Sequence, residues 1–466
     1  QPSPDIRALE NKIVEAVRSW VDGLSEILVQ KFGEDQGLAW ISEIGNAFPA
    51  AYQEDVSPWV ASFDVERIAE LGDESDLKMS LYRPRGKESG LIRFKLFKRG
   101  RPIPLSQVLP ILENLGLKVS NERPYHLQLG EEGEDDVWVQ DYDMVYERAA
   151  HLDLVRDTFT EAFINTWRGV TRSDSFNRLI LACGMEWREV KILRGYAHYL
   201  QQTSTPFSLS YMALTLARHP LLARLLVEYF DALFNPARDE ETDYRAELAG
   251  RRIARDLDTL AGEKENGDKV LLEYVQQLID RRAEGSGNRA EQISSIEQAF
   301  LRGVNAISSL DEDRILNMFY CMIRATLRTN YFQTGDDGSL KDYISFKFDS
   351  SKIPDLPAPR PYREIWVYST RVEGVHLRMG AIARGGLRWS DRRADFRTEV
   401  LGLMKAQNVK NTMIVPVGAK GGFVPLHLPE GGDREAITAE GIACYKIFIN
   451  GLLDVTDNLD EEKILP

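Results

Sequence analysis

Residues 408–423 read NVKNTMIVPVGAKGGF, an apolar run followed by a glycine-rich segment. The run Thr412–Val417 is rich in β-branched residues, which predicts a short buried strand. Lys410 precedes this strand, and Lys420 follows it among three glycines. Glycines at the end of a strand let a ligand approach the backbone closely. This stretch therefore predicts an α/β layer with two amines beside a small binding site.

The segment before it predicts a helix from Phe396 to about Asn408, with Asp395 as its N-cap. One face of this helix is apolar until its last turn, and it comprises Phe396, Val400, Leu403, Gln407 and Lys410. An amide and an amine at the inner end of a core-facing stripe can hold a carboxylate. The alternative is that Lys410 only offsets the helix dipole.

The charge of this region is opposite to that of the whole chain. Residues 371–420 contain seven Arg and three Lys against four acidic residues, so ten minus four gives +6 within a chain of −14. A basic window in an acidic protein favours a small anionic ligand over a polyanion. The alternative is a solvated basic helix face.

A phosphate loop is a rival interpretation of the glycines. Gly380–Gly385 has the glycine spacing of a Walker loop, but Gly386 and Leu387 stand where Lys and Ser or Thr should follow. The sequence also lacks the G-x-G-x-x-G fingerprint of dinucleotide-binding proteins. A nucleotide site is therefore not predicted in this stretch.

Composition sets the broad class of protein. The chain has 466 residues, 43% of them hydrophobic and 28% charged, which is typical of a globular protein of about three domains. Its net charge of −14 argues against nucleic-acid binding. The longest stretch without Asp, Glu, Lys or Arg, Gly195–Ala217, is polar and contains Pro206, so no membrane span is predicted. Three distant cysteines and six histidines without ligand spacing predict neither a disulfide framework nor a metal site, which fits the cytoplasm. The chain starts without Met and is expected to be part of a longer protein.

The upstream sequence predicts a helix, a connector and then a small α+β layer. The helix covers Ile6–Phe32, and a polar, loop-rich passage follows to about Ser75. Four strands and one helix are then predicted in the order β-β-α-β-β, at Leu77–Arg83, Leu91–Lys98, Leu105–Leu115 (the helix), Leu117–Leu129 and Val137–Tyr146. A turn at Pro84-Arg85-Gly86 and an acidic loop at residues 130–136 separate the strands, and a further helix begins near Ala149. This order is typical of a ferredoxin-like layer.

The middle of the chain, residues 150–334, has an almost wholly helical pattern with a break at His219-Pro220. Arg281–Glu291 and Gln333–Ser339 are predicted as exposed connectors. Four prolines between Lys352 and Pro361 then predict an extended crossing into a new domain. In that domain, two strands are predicted at Glu364–Ser369 and Gly374–Ile382.

Three spaced blocks resemble one known family. GGLR at 385–388, QNVKN at 407–411 and PVGAKGG at 416–422 resemble the substrate domain of glutamate dehydrogenases. The fuller run from Arg384 to Phe423 is similar to the large bacterial NAD-specific members of this family. The N-terminal half of that class carries ACT-like regulatory modules and helical segments. The resemblance therefore implies an ACT-like module at Leu77–Tyr146.

The resemblance implies a role for each matching residue. Lys420 matches the catalytic lysine, which activates water and handles protons at the amino-bearing carbon of the substrate. Lys410 matches the lysine that binds the substrate α-carboxylate, with Gln407 beside it. Gly385 and Gly386 are expected to contact the substrate.

Arg384 departs from the family pattern, because the smaller glutamate dehydrogenases carry a lysine there for the side-chain carboxylate. Arginine keeps the charge and can bind a carboxylate through two hydrogen bonds, but it is longer and planar. The family also needs a catalytic carboxylate and a nucleotide-binding domain, both of which are expected downstream. Phe423–Pro466 contains no dinucleotide fingerprint, and its acidic residues are not interpreted as catalytic.

The predicted fold is an α+β and α/β multidomain protein in four parts. Residues 1–74 are an N-terminal helix and connector, 75–148 a ferredoxin-like, ACT-like regulatory module, 149–335 a helical domain, and 336–466 the first part of an α/β glutamate dehydrogenase substrate domain. The implied function is NAD-dependent oxidative deamination of L-glutamate to 2-oxoglutarate and ammonium, with NAD bound downstream, no metal, and the isolated chain inactive. An amino-acid effector at the ACT-like module and a homo-oligomer are expected, whereas nucleic acid and membrane are not. Two alternatives stay open, namely a non-catalytic allosteric or assembly segment and a dehydrogenase of another amino acid.

Overall fold

A computed structural model describes residues 19–84, 91–129, 135–146, 152–203, 205–236, 289–410, 417–429, 431, 433–460 and 463–465. For residues 152–155, 408–410, 458–460 and 463–465 it describes the backbone alone. The chain divides into two compact units, residues 1–152 and 153–466. The finer four-part division stays a prediction.

The first unit combines helices with a four-stranded antiparallel sheet. Its elements are α1 (Trp20–Phe32), α2 (Glu34–Glu43), α3 (Ala50–Asp55), α4 (Pro58–Ala69), β1 (Lys78–Tyr82), β2 (Leu91–Arg99), α5 (Leu105–Asn114), β3 (Lys118–Leu129) and β4 (Asp135–Val145). The strands lie in the order β1-β2-β4-β3, and each neighbouring pair is antiparallel. The predicted β-β-α-β-β order is confirmed.

Local signals explain where these elements begin and end. Ser19 and Asp22 form a capping box at the start of α1, which satisfies backbone N–H groups that lack helical partners. Gly33 ends α1 with φ +89°. Gly116 follows α5 with φ +92°, as the predicted helix stop requires.

The loop-rich passage predicted up to Ser75 is wrong, because α2, α3 and α4 occupy it. These helices are short, and Gly33, Pro49 and Pro58 separate them, so no long apolar period is visible in the sequence. Their buried side chains share one core with the sheet, comprising Tyr52, Val65, Ile68, Phe97, Tyr125 and Val139 among others.

The second unit begins with helices. They are α6 (Leu152–Trp167), α7 (Arg178–Cys183), α8 (Trp187–Gln201), α9 (Leu209–Arg218), α10 (Pro220–Phe234), α11 (Arg289–Asn305) and α12 (Leu310–Ala325). The break at His219-Pro220 is confirmed, because α9 ends at Arg218 and α10 begins at Pro220. The connector predicted up to Glu291 is wrong at its end, where α11 has already begun.

The helices lead into a six-stranded sheet. The sheet is formed by β5 (Thr326–Thr329), β6 (Ile344–Phe348), β7 (Arg363–Tyr368), β8 (Val372–Arg378), β9 (Arg384–Trp389) and β10 (Gly418–Pro425). Helix α13 (Phe396–Lys410) connects β9 to β10, and α14 (Arg434–Leu453) follows β10 and leads to a two-stranded ribbon, β11 (Asn458–Asp460) and β12 (Lys463–Leu465). The sheet order is β5-β6-β7-β8-β10-β9, in which only β9 and β10 are parallel neighbours among the described strands. The proline-rich segment joins β6 to β7 of one sheet, so the predicted crossing into a new domain is wrong.

Helices cover both faces of this sheet. On one face, Tyr196 of α8 stacks on Phe346 at 4.3 Å, and Phe396 of α13 stacks on Trp366 at 5.8 Å. On the other face, Phe448 of α14 lies so close to Gly374 that a β-carbon on Gly374 would be 2.3 Å from the phenylalanine ring.

Within the described residues, α14 is the one helix long and apolar enough to cross a membrane, with a mean hydropathy of 1.3.

Several predicted segments lie outside the described residues. They are the helix before Ser19, the turn residues Arg85 and Gly86, most of the acidic loop, the start of the helix near Ala149, the connector residues 281–288, and the strand from Thr412 to Pro416.

Candidate active site

The residues of the predicted site lie on one β-α-β unit, formed by β9, α13 and β10. The two strands are parallel, with Arg384 beside Gly418 and Trp389 beside Phe423. In such a unit the crossover helix runs back along the sheet. The start of β9, the end of α13 and the start of β10 therefore lie at the same end of the sheet.

Lys420 is the third residue of β10, not a residue that follows a strand as the sequence predicted. It pairs with Gly386 on β9 and with Leu377 on β8, so its backbone is held from both sides. A β-carbon on Gly386 would lie 3.8 Å from Nζ of Lys420, so the amine lies over Gly386. The side chain is half-buried and forms no hydrogen bond or ion pair with any residue that the structure describes. Its amine is therefore available to a ligand.

Helix α13 covers the face of β10 that carries Lys420. A β-carbon on Gly422 would lie 2.5 Å from Cγ2 of Val400, so Gly422 faces α13. Side chains two residues apart in a strand point to the same face, which places Lys420 beneath α13 as well.

Gln407 lies on the same side of α13 as Val400. Seven residues are close to two helical turns, so Gln407 repeats the orientation of Val400 about 10 Å nearer the helix end. Its Oε1 atom is buried and accepts no hydrogen bond from the described part of the chain. An acceptor buried in this way calls for a donor that the described side chains do not supply.

Lys410 is the last residue of α13, but its side chain lies outside the described residues. The predicted apolar stripe of this helix is only partly correct. Phe396, Val400 and Met404 are fully buried, whereas Leu403 is 36% exposed. The helix therefore uses the spacing i, i+4, i+8 for its core face.

Arg384 is the first residue of β9 and is exposed. It lies two residues before Gly386, hence on the same face as Lys420 and about 7 Å further along the sheet. Its guanidinium has no ion-pair partner among the described residues, whereas Arg388 on the same strand pairs with Glu399 at 2.7 Å. The structure thus brings Arg384, Gln407 and Lys420 to one end of the unit.

Two glycines of β9 and β10 allow close packing of the protein itself, whereas the sequence analysis had assigned the glycines to the approach of a ligand. A β-carbon on Gly385 would lie 1.4 Å from the carbonyl oxygen of Ala419, so any side chain there would separate β9 from β10. A β-carbon on Gly421 would lie 2.4 Å from Leu387. Gly386 is different, because its missing side chain leaves the space that the amine of Lys420 borders.

A buried ion pair that the sequence analysis missed anchors α13. Arg397 donates to Glu364 from Nε at 2.9 Å and from a terminal nitrogen at 2.6 Å, and both side chains are fully buried. Tyr199 of α8 donates to the same carboxylate at 2.8 Å. A cation in the first turn of a helix is unfavourable because the helix dipole is positive there. An arginine at this position could therefore have indicated a carboxylate partner for Arg397.

Among the described residues, no group of three or more His, Cys, Asp or Glu side chains could hold a metal ion. The β9-α13-β10 unit also lacks a dinucleotide turn, because Ser390–Asp395, between β9 and α13, contains no glycine. The residues of this unit therefore do not fit a nicotinamide dinucleotide.

Comparison with known families gives four matches, all to glutamate dehydrogenases. Residues 299–466 match the bacterial NAD-glutamate dehydrogenase catalytic domain, and residues 76–156 match the glutamate dehydrogenase ACT3 domain. Residues 27–71 and 171–236 match helical motifs 2 and 3 of glutamate dehydrogenase. The class is thus a glutamate dehydrogenase with ACT and helical-motif regions ahead of its catalytic domain.

Individual relatives agree with these matches. The NAD-specific glutamate dehydrogenases of Halomonas elongata and Pseudomonas aeruginosa are 43% and 42% identical over 99% of this chain, and that of Mycobacterium tuberculosis is 39% identical over 97%. The chain belongs to this family of bacterial NAD-specific glutamate dehydrogenases. It spans about a quarter of the length of these relatives, 26%, 26% and 25% respectively.

Proposed function

We propose that this chain provides the substrate-binding side of an NAD-dependent glutamate dehydrogenase. The reaction converts L-glutamate, water and oxidised NAD to 2-oxoglutarate, ammonium, the reduced cofactor and a proton. The observation that carries the proposal is the meeting of Arg384, Gln407 and Lys420 at one end of the β9-α13-β10 unit. The chain's own cations and one acceptor converge there without described partners, as a charged substrate would require.

Each residue has a proposed role in binding or proton transfer. Lys420 takes and returns protons at the amino-bearing carbon and at the attacking water. Lys410 and Gln407 bind the α-carboxylate and the atoms beside it. Arg384 binds the distal carboxylate, with Gly385 and Gly386 forming the floor of the site. Holding both ends of the substrate orients its reacting carbon toward Lys420.

NAD is proposed to bind to residues outside this chain, since the β-α-β unit does not fit it. The cofactor supplies the hydride acceptor of the reaction. The catalytic carboxylate that the family uses is likewise proposed outside these residues. The activity is accordingly proposed for the full-length protein that contains this chain.

Residues 75–148, the sheet-forming part of the first unit, are proposed to be an ACT-like regulatory module of ferredoxin-like topology. The match to the ACT3 domain supports this assignment. The order β1-β2-β4-β3 also has the strand neighbours of a ferredoxin-like sheet whose chain begins at its second strand. An amino-acid effector of this module, a homo-oligomeric enzyme and a cytoplasmic location belong to the same proposal.

The role of Lys420 is tested by Lys420→Ala in the full-length enzyme. Removing a positioned acid–base group should lower kcat by about 10²–10⁴-fold. Lys405→Ala is the matched control, because Lys405 is an exposed lysine of α13, and it should change kcat less than about twofold. A folded Lys420→Ala enzyme with more than a third of wild-type kcat would reduce Lys420 to a packing residue.

The substrate is tested through Arg384→Leu. Loss of a charge-assisted hydrogen bond to a carboxylate should lower kcat/KM for glutamate by about ten- to a hundredfold. Norvaline and leucine lack the second carboxylate, so their kcat/KM should stay within about threefold of wild type. If kcat/KM falls equally for all three amino acids, Arg384 is structural and the case for a dicarboxylate substrate fails.

A further inference from the structure

A pocket with charged side chains on its wall lies in the unit formed by residues 153–466, away from Lys420. Its volume is about 570 Å³, which is within the range of small-molecule sites. The loop after α6, one side of α8 and the start of α9 form it together with residues at the ends of β7, β9 and β10. Arg172, His198, Ser210, Arg393 and His427 are among the lining residues.

This pocket lies at the opposite end of the parallel strands from the proposed active site. Arg393 follows β9 and His427 follows β10, whereas Arg384 and Lys420 lie at or near the starts of those strands. Helix α13 begins beside the pocket and ends at Lys410, and its 15 residues span about 22 Å. The two sites are therefore separate.

Two arginines at the pocket have spare hydrogen-bonding capacity. The Arg172 guanidinium lies over the ring of Tyr368 at 5.7 Å and makes one long hydrogen bond to a described residue, from a terminal nitrogen to Glu373 at 3.4 Å. Its buried Nε has no acceptor among the described residues. Arg393 is exposed at the pocket wall, and its guanidinium forms no ion pair with a described residue. Each guanidinium carries five N–H donors in a planar fork that matches an oxyanion.

The carboxylates near these arginines are already engaged. Asp174 accepts hydrogen bonds from Arg194 at 2.9–3.1 Å. Glu373 is buried and accepts a hydrogen bond from Nδ1 of His198 at 2.9 Å. Burial opposes ionisation of Glu373, yet the bond from His198 and the charges of His198, Arg172 and Arg393 lower its pKa.

The charge balance of the pocket is positive. Arg172 and Arg393 line it with one carboxylate, that of Asp174, and the buried pairs behind the wall, Arg194 with Asp174 and Glu373 with Arg172, add one charge of each sign. The ionised Glu373 holds Arg172 and His198 at the wall, which makes it a positioning residue. Hydroxyl groups, including that of Ser210, supply further donors around the cavity.

We propose that this pocket binds a small oxyanion ligand, a carboxylate or phosphate group of a metabolite, between Arg172 and Arg393. The site is distinct from that of Lys420 and does not depend on the proposed activity. Guanidinium groups with unused N–H donors in a positive cavity bind the oxygens of a carboxylate and those of a phosphate in the same way.

The test is isothermal titration calorimetry of the chain with inorganic phosphate and, separately, with succinate, which distinguishes the two sources. At least one of them should bind once per chain at concentrations up to about 10 mM, where a millimolar site saturates. Arg393→Gln should weaken this binding by at least about tenfold, as expected for one lost charge-assisted bond. Arg392→Gln is the matched control, because the neighbouring Arg392 pairs with Asp395 and does not line the pocket, and it should bind like wild type.

Two further variants separate the pocket from the active site and from folding. Lys420→Ala should bind the anion as wild type does. Ser210→Tyr fills the pocket at an exposed position, keeps both arginines, and should abolish binding. The proposal is overturned if neither anion binds, if Arg393→Gln or Ser210→Tyr binds with wild-type affinity, or if Lys420→Ala loses binding. The last result would place the anion in the glutamate site instead.

Discussion

Asp141 in the first unit and Glu373 in the second are both buried carboxylates, yet their pKa values move in opposite directions. Burial raises the pKa of Asp141 from 3.8 to about 6. The pKa of Glu373 is lowered even though burial opposes its ionisation. The difference lies in the donors that each carboxylate receives.

Cations lie near Asp141 but donate to other residues. Lys95 donates to Asp64, and Arg93 donates to Asp143 at 2.9 Å. The same two cations are 3.9 Å and 3.4 Å from Asp141, and neither oxygen of Asp141 accepts a hydrogen bond from the described residues. Nearby cations alone are therefore insufficient to keep the pKa of a buried carboxylate low. The carboxylate also needs hydrogen-bond donors aimed at its oxygens, to replace the water it has lost.

The two carboxylates affect stability with opposite pH dependence. Because the folded-state pKa of Asp141 is raised, its stabilising contribution is complete below pH 3.8 and is lost as the pH rises through about 6. Because the folded-state pKa of Glu373 is lowered, its contribution is present above its ordinary pKa of 4.5 and is lost on acidification. At neutral pH, ionisation of Asp141 therefore destabilises the first unit, whereas ionisation of Glu373 stabilises the second.

The largest expected effect is that of Lys95→Met, which removes the cation of the first cluster. It leaves Asp64 and Asp141 buried together without a compensating charge, and it should lower the free energy of unfolding of the first unit by about 3–5 kcal/mol. Hydrogen exchange of residues 91–145 measures this loss. Lys98→Met on the same strand, where the side chain is half-buried, is the control and should cost about 1 kcal/mol or less. A loss below about 1 kcal/mol in Lys95→Met would contradict the charged cluster.

A somewhat smaller effect of opposite sign is expected for Asp141→Asn. The shift of about two pKa units corresponds to about 3 kcal/mol, so the variant should stabilise the first unit by up to that amount at pH 8 and by almost nothing near pH 4. Asp143→Asn is the control two residues along β4, because Arg93 and Arg123 donate to Asp143 and its pKa is lowered. It should destabilise the same unit at pH 8. If Asp141→Asn changes the free energy of unfolding equally at pH 5 and pH 8, missing donors do not account for the difference between Asp141 and Glu373.

The smallest effect is expected where burial is absent. Arg67 and Glu70 form an ion pair at 2.8 Å with both side chains nearly half exposed. Arg67→Gln should change the free energy of unfolding by less than about 0.5 kcal/mol at any pH, since water screens the pair. Urea unfolding at pH 5 and pH 8 tests this, and a larger change would mean that distance rather than burial governs these contributions.

Much of the fold follows from local sequence signals. The four strands of the first unit, β7 and β8 of the second, the stop at Gly116 and the break before Pro220 were predictable from alternation, glycine and proline. Strands β5, β6 and β9 of the second unit were not predicted. The short helices of residues 34–69 were missed because each is too brief to show a long apolar period. The connection between β6 and β7 was misread because prolines indicate extended chain but not whether that chain stays within one sheet.

The candidate site was predictable in its residues but not in its geometry. The spaced motifs single out Arg384, Gln407, Lys410 and Lys420 without any coordinates. The placement of Lys420 inside β10 was missed, because GAKGG resembles a loop when viewed alone and only pairing with β8 and β9 makes it a strand.

The sequence by itself determined the family, the order of the strands and helix within residues 77–146, and the identity of the candidate site residues, because motifs and periodicity act over a few residues. Only the tertiary structure decided which charges share a partner. Lys95 and Asp64 are 31 residues apart, Arg397 and Glu364 33, and Arg172 and Glu373 201. Hydrogen bonds act over about 3 Å, so whether a buried carboxylate finds a donor depends on how distant segments pack, which no local pattern records.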